Sequence, residues 1–236
     1  MMDEIDKHIS EKAVVFANKR KKEIARRLTN VKMFNPDIYP ISVFMAGSPG
    51  AGKTESSLRL IEVVSAKSAV LRIDLDEYRK YFSDYNGANS ELFQAGCSII
   101  ADKVHDFALK NNQSFVFDGT FTNLERSIQN IKRSLNKKRG VFILYVYQDP
   151  VQAWNFVLKR AERDGRFIPK EAFINKYFTA RENVNMVKSI FGSSVQIDLV
   201  VKNIDGTDFR YKENIASIDS HLKETYSKEE LMKFII

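Results

Sequence analysis

The chain has 236 residues, 44% hydrophobic and 28% charged, with a formal net charge of +7 and a single cysteine. That balance belongs to a soluble globular protein long enough to bury a sizeable core, and the lone Cys97 excludes an internal disulfide framework. No apolar run approaches the roughly 20 residues that span a bilayer, and the acidic start (Asp3, Glu4, Asp6) lacks the apolar core of a secretory signal, so a cytoplasmic protein with no membrane partner is expected.

Residues 3–30 carry Ile5, Ile9, Ala13, Phe16, Ile24 and Leu28 at roughly helical spacing between charges, which predicts an amphipathic helix. Asn35-Pro36 and Tyr39-Pro40 break the chain. An apolar run at 41–46 then reads as a buried strand, followed by a glycine-rich turn and a helix over 53–66. Further strands are expected at 69–74, 114–118, 141–147 and 195–201. Helices are expected at 90–111, 124–136, from Pro150 through Trp154, over 170–191 and over 228–236, the last within a helical extension at 210–236. Strands alternating with helices imply a mainly parallel sheet of about five strands flanked by helices, an α/β P-loop kinase fold in one domain over 1–236.

The densest chemical signal is Gly47, Ser48, Pro49, Gly50, Ala51, Gly52, Lys53 and Thr54, which match G-x-x-x-x-G-K-[ST] between a strand and a helix. Glycines let backbone N–H groups turn onto an anion, and the helix N-terminus adds positive partial charge there. Lys53 is placed to reach the β and γ phosphates of ATP, and the Thr54 hydroxyl to ligate Mg2+. No Asn-Lys-x-Asp stretch for guanine is present, which argues against a GTPase. Asp74 and Asp76 follow the second strand, where ligands bind in doubly wound sheets. One can take the acceptor proton and the other support magnesium, with Arg79 a turn later to hold an anionic part of the acceptor. Asp118-Gly119-Thr120 is a second carboxylate at a strand end, suited to magnesium or to the acceptor. Arg160, Arg163 and Arg166 flank Gly165 at a helix end and can close over the phosphates, with Arg160 and Arg163 equally placed for the first contact.

In this order the motifs resemble the zeta toxin family of P-loop kinases over about 41–192. The phosphate loop with Glu55 after it, Asp74-Leu-Asp76-Glu-Tyr-Arg79, Asp118-Gly-Thr120, and Arg160 with Arg166-Phe-Ile-Pro169 are similar to that family's segments. The resemblance implies that Asp76 is the base, Arg160 and Arg166 the phosphate clamp, and UDP-N-acetylglucosamine or a similar nucleotide-sugar the acceptor. It also implies a small antitoxin partner that blocks ATP. Two departures fall in the acceptor half: Lys80-Tyr81 stands where members often carry His-Pro, and Asp118 where the best-known toxins carry Glu. Two other readings stay open. The basic balance also suits a kinase acting on the 5′-hydroxyl of a nucleic acid. The third is an ATP-binding interaction module with little turnover. His8, His105 and His221 have no ligand spacing, while Cys97, Trp154 and the aromatics Tyr78, Tyr81, Phe82 and Tyr85 read as packing.

Overall fold

A computed structural model describes residues 4–65, 69–223 and 226–235. The expected helix ends at Asp3, Ala66 and Ile236 lie outside them. The helices are α1 (Glu4–Leu28), α2 (Lys53–Ser65), α3 (Leu75–Tyr78), α4 (Gln94–Lys110), α5 (Leu124–Asn136), α6 (Pro150–Asp164), α7 (Lys170–Phe191) and α8 (Lys228–Phe234). The strands are β1 (Ile41–Ala46), β2 (Leu71–Asp74), β3 (Phe115–Asp118), β4 (Gly140–Tyr147), β5 (Gln196–Lys202) and β6 (Asp208–Lys212).

The strands form one sheet in the order β2-β3-β1-β4-β5-β6. The first five are parallel, as the alternation of strands and helices predicts, and β6 runs antiparallel to β5. This sixth strand corrects both the count of about five and the helical reading of 210–236, where helix is confined to α8. Its residues are almost wholly exposed, so no apolar face announced it. A local signal was nevertheless present. Asp205-Gly206 forms the turn of the β5–β6 hairpin, with Gly206 at φ 89° and Asn203 N–H donating to Thr207 O at 2.7 Å.

Side chains alternate across each strand, so both sheet faces must be covered. Phe44, Phe115, Phe117, Ile143, Tyr145, Ile197 and Leu199 face the layer that contains α1 and α4. Val43, Met45, Val116, Leu144, Val146 and Val200 pack on the opposite side with Leu60, Ile61 and Val64 of α2. Trp154, Phe173, Tyr177 and Leu231 join α6, α7 and α8 in a third cluster. Cys97, Tyr78 and Phe82 are buried as expected, whereas Ile5, one turn before the first packed residue Ile9, is exposed.

Helix ends are set by local chemistry. Asp149 accepts from Val151 and Gln152 N–H at 3.0 Å, with Pro150 in the first turn of α6. Gly165 ends that helix in the left-handed conformation (φ 69°), which turns the chain back toward the sheet. β1 lies between β3 and β4, where chain progression reverses direction. The crevice beyond the strand C-termini at that point is where such sheets bind ligands.

Candidate active site

The phosphate loop leaves β1 and ends in the first turn of α2. Two glycines are dictated by space as well as by backbone angle. A Cβ on Gly47 (φ 136°) would fall 2.3 Å from Val146 O, and one on Gly50 (φ 74°) 2.1 Å from Ala153 O. Gly47 N–H donates to Thr120 O at 3.4 Å, which ties the loop to the turn after β3. Lys53 Nζ donates to Ser48 O at 2.6 Å. Burial lowers the Lys53 ammonium to about 8, against the opposing charges of Asp118 and Asp76. Thr54 and Glu55 are exposed at the start of α2.

Asp74 and Asp118 face one another in register at the ends of β2 and β3. Asp74 Oδ1 accepts from Asp76 N–H at 2.8 Å and so caps α3. Burial and the neighbouring Asp118 charge push the Asp74 carboxyl up to about 6, with Arg72 opposing. Arg72 Nη2 lies 2.7 Å from Asp74 Oδ2 and 2.6 Å from Asp118 Oδ2, and Nη1 donates to Glu77 at 2.7 Å. Ser57 Oγ sits 3.1 Å from Asp118 Oδ2 and 2.8 Å from Thr54 O. Thr120 Oγ1 is 2.9 Å from Thr122 Oγ1 on the same turn.

Asp76 is the centre of the second half. Its Oδ1 accepts from Arg79, and its Oδ2 accepts from Arg166 and, at 3.2 Å, from Arg160. Burial favours the protonated acid, but the Arg166 and Arg79 guanidiniums overcome it and hold Asp76 well below the usual carboxylate range. Arg79 is only 2% exposed and also bonds Ser90 O and the Gln94 side chain. It therefore braces Asp76 from behind rather than facing the cleft, away from the acceptor-binding position expected for it. Arg160 and Arg163 are also separated: Arg163 is 77% exposed and paired with Asp164.

The structure thus brings Lys53, Asp74, Asp76, Asp118, Arg160 and Arg166 to one crevice beside the phosphate loop, and leaves Arg163 outside. Sequence reasoning missed Arg72, Ser57 and Gln94. Arg72 had a usable signal, because residues two apart on a strand share a face and Asp74 follows it by two. The oxygen-only set of the Thr54 hydroxyl, Asp118 and Asp74 fits a hard cation such as Mg2+, which takes few protein ligands and completes its shell with water and phosphate. No group of three or more acidic, histidine or cysteine side chains among the described residues forms an all-protein metal cage.

The sequence profile of a family described as Zeta toxin matches residues 24–216. The chain resembles a solved structure from the PezAT chromosomal toxin-antitoxin system of Streptococcus pneumoniae, with a TM-score of 0.61 at 13% identity, covering 100% of this chain and 89% of that one. It also resembles AvrRxo1-ORF1:AvrRxo1-ORF2 with sulphate ions (TM-score 0.58, 16% identity) and the same complex with ATP (TM-score 0.57, 17% identity). In both cases 87% of this chain matches 65% of the other, so the chain spans somewhat under two thirds of that protein. At these identities the structural likeness speaks for the fold. No curated protein matches in sequence.

Proposed function

The chain belongs to the zeta toxin family of P-loop kinases, and from that premise we propose that it moves the γ-phosphate of ATP to a hydroxyl of a nucleotide-sugar such as UDP-N-acetylglucosamine. The observation that carries this reading is one carboxylate, Asp76, gripped by Arg79, Arg160 and Arg166 beside the phosphate-loop lysine. A plain nucleotide-binding module has no need of an ionised acid there.

In this reading the backbone of residues 47–54 wraps the triphosphate and Lys53 contacts its β and γ phosphates. Thr54 and Asp118, with Asp74 behind, would hold Mg2+, which when bound neutralises charge on the β and γ oxygens. The acceptor hydroxyl lies against Asp76. As its oxygen bonds to the γ phosphorus, its proton passes to Asp76 and the bond to the ADP oxygen breaks. Arg160 and Arg166, already at Asp76, balance the charge spread over the transferring group. Their departure toward phosphate also relieves Asp76 of positive charge and makes it a better proton acceptor. Thr120, on the turn after β3, contributes to holding the sugar, and Arg79 keeps Asp76 aimed. Residues 1–236 work as one kinase domain.

Two features support the wider setting. One structural neighbour belongs to a toxin-antitoxin system and the other was solved as AvrRxo1-ORF1 with AvrRxo1-ORF2, which supports a small antitoxin as partner. No helix among the described residues is long and apolar enough to cross a membrane, which is in keeping with action in the cytoplasm.

The test is incubation with ATP, Mg2+ and a panel of UDP-sugars, followed by mass spectrometry. Gain of one phosphate on a sugar supports the reading. Transfer instead to a 5′-hydroxyl oligonucleotide, or to nothing while ATP still binds, would replace it.

A further inference from the structure

Arg72 belongs to neither the phosphate loop nor the clamp on Asp76, yet it touches both neighbourhoods. Asp74 and Asp118 stand side by side at the ends of paired strands, where two carboxylates repel. One guanidinium nitrogen lies within 2.7 Å of each, and the other nitrogen reaches Glu77 of α3. From Asp118 the connection runs through Ser57 to Thr54 O on the phosphate-loop helix, and from Asp74 it runs to the backbone of Asp76. The Arg72 side chain is 14% exposed, and its Nε is buried without a hydrogen-bond partner, so its placement is decided by the carboxylates.

Resting on the functional reading above, we infer that Arg72 is a positioning residue that couples the two halves of the site: it fastens Asp118, on the phosphate side, to the Asp74–Asp76 segment on the acceptor side. Donor phosphate and accepting carboxylate then keep one spacing. Without the guanidinium, Asp74 and Asp118 face each other as bare like charges, and nothing ties the ends of β2 and β3 together at that point. The other groups around the pair are Asp76, Glu77 and Tyr78 of α3, Cys97 of α4, and Lys53 of α2, which faces Asp118. None of them bridges the two carboxylates.

The full chain carrying Arg72→Met or Arg72→Lys is compared with the wild type in three ways. These are Mg·ATP affinity, the single-turnover transfer rate, and the backbone amide NMR shifts of residues 72–79 and 115–120. For Arg72→Met, ATP affinity stays within about threefold while the transfer rate falls by about 10²-fold, the scale of a small misplacement of reacting groups. Backbone amide NMR shifts change on both segments, 72–79 and 115–120, and not only beside residue 72. Arg72→Lys recovers only part of the loss, because an ammonium cannot serve two carboxylates as a fork does. If Arg72→Met does not fold, the lysine variant shows the same changes with smaller size. A folded variant whose transfer rate matches the wild type overturns the inference, as do amide shifts confined to the immediate neighbours of residue 72. The NMR comparison needs no acceptor, so a wild type that phosphorylates nothing counts against the functional reading alone.

Discussion

Asp76→Asn preserves the shape of the side chain and removes its charge, which separates two jobs that the carboxylate performs. As a base it is worth about 10²–10⁴ in rate, so the transfer step should fall by that factor. As a counter-charge it holds Arg160 and Arg166, which a bound triphosphate must win from it. The Asp76 side chain is 36% exposed, so water screens these pairs. Each such ion pair is worth about 0.5–1 kcal/mol, and freeing both contributes about 1–2 kcal/mol to phosphate binding. That corresponds to ATP held about 5–30-fold more tightly. Rapid-quench measurement of a single turnover gives the first quantity, and calorimetric titration with Mg·ATP the second. The signature is therefore opposed: slower transfer with stronger nucleotide binding. A variant that transfers within threefold of wild type, or that binds ATP more weakly while folded, would refute the assignment of Asp76 as an arginine-held base.

Three further outcomes follow from the same geometry. The pH profile of kcat/KM should be bell-shaped: activity is lost as pH falls through about 6, where Asp74 takes a proton, and as pH rises through about 8, where Lys53 loses one. A flat profile between those values and beyond would remove both groups from the reaction. Gly50→Ala places a methyl against Ala153 O in a backbone conformation at φ 74°, so thermal melts should show a loss of about 1–3 kcal/mol, with ATP binding abolished. Arg160→Ala should slow transfer by about 10³-fold, whereas Arg163→Ala should leave it within about twofold, because only the first reaches Asp76; equal losses in steady-state rate would reverse that distinction.

How much of this was readable beforehand depends on whether the determining physics is local. The phosphate loop is local: its turn, its glycines and its lysine lie within eight residues, and their spacing carries their chemistry. The parallel core is nearly as legible, since strands buried on both faces show as continuous apolar runs. β6 escaped because an exposed edge strand has no face to bury, and only its Asp-Gly turn marked it. Arg79 was expected to hold the acceptor, and in the structure it is buried against Asp76. Its three-residue distance from Asp76 is the spacing at which helical side chains meet, and that proximity outranks an outward reach toward substrate. The spacing of Arg72 to Asp74 was readable, but its tie to Asp118 was opaque, because Asp118 is 46 residues away and adjoins it only through the β2–β3 register. One step of slippage would turn Asp118 to the other face.

The same distinction bears on how the net charge of +7 is read. Much of it is dispersed. Arg20, Lys22, Arg26 and Arg27 lie exposed along α1, whose other side packs on α4. A charge spread that way raises the general attraction to anions without choosing among them. Selection comes from cations held in fixed places, and those are few. Lys53 stands in the loop with its proton affinity already lowered, while Arg160 and Arg166 converge from the end of α6 and the turn after it on one carboxylate. Asp76 cancels part of that positive charge until phosphate competes for it. A site built in this way discriminates by charge density at one point. It favours a compact triphosphate over a long polyanion, whose phosphates are too far apart to satisfy three cations together. For that reason the basic composition is weak support for a nucleic-acid acceptor, and the three fixed cations speak for the ATP phosphates they face rather than for any one acceptor.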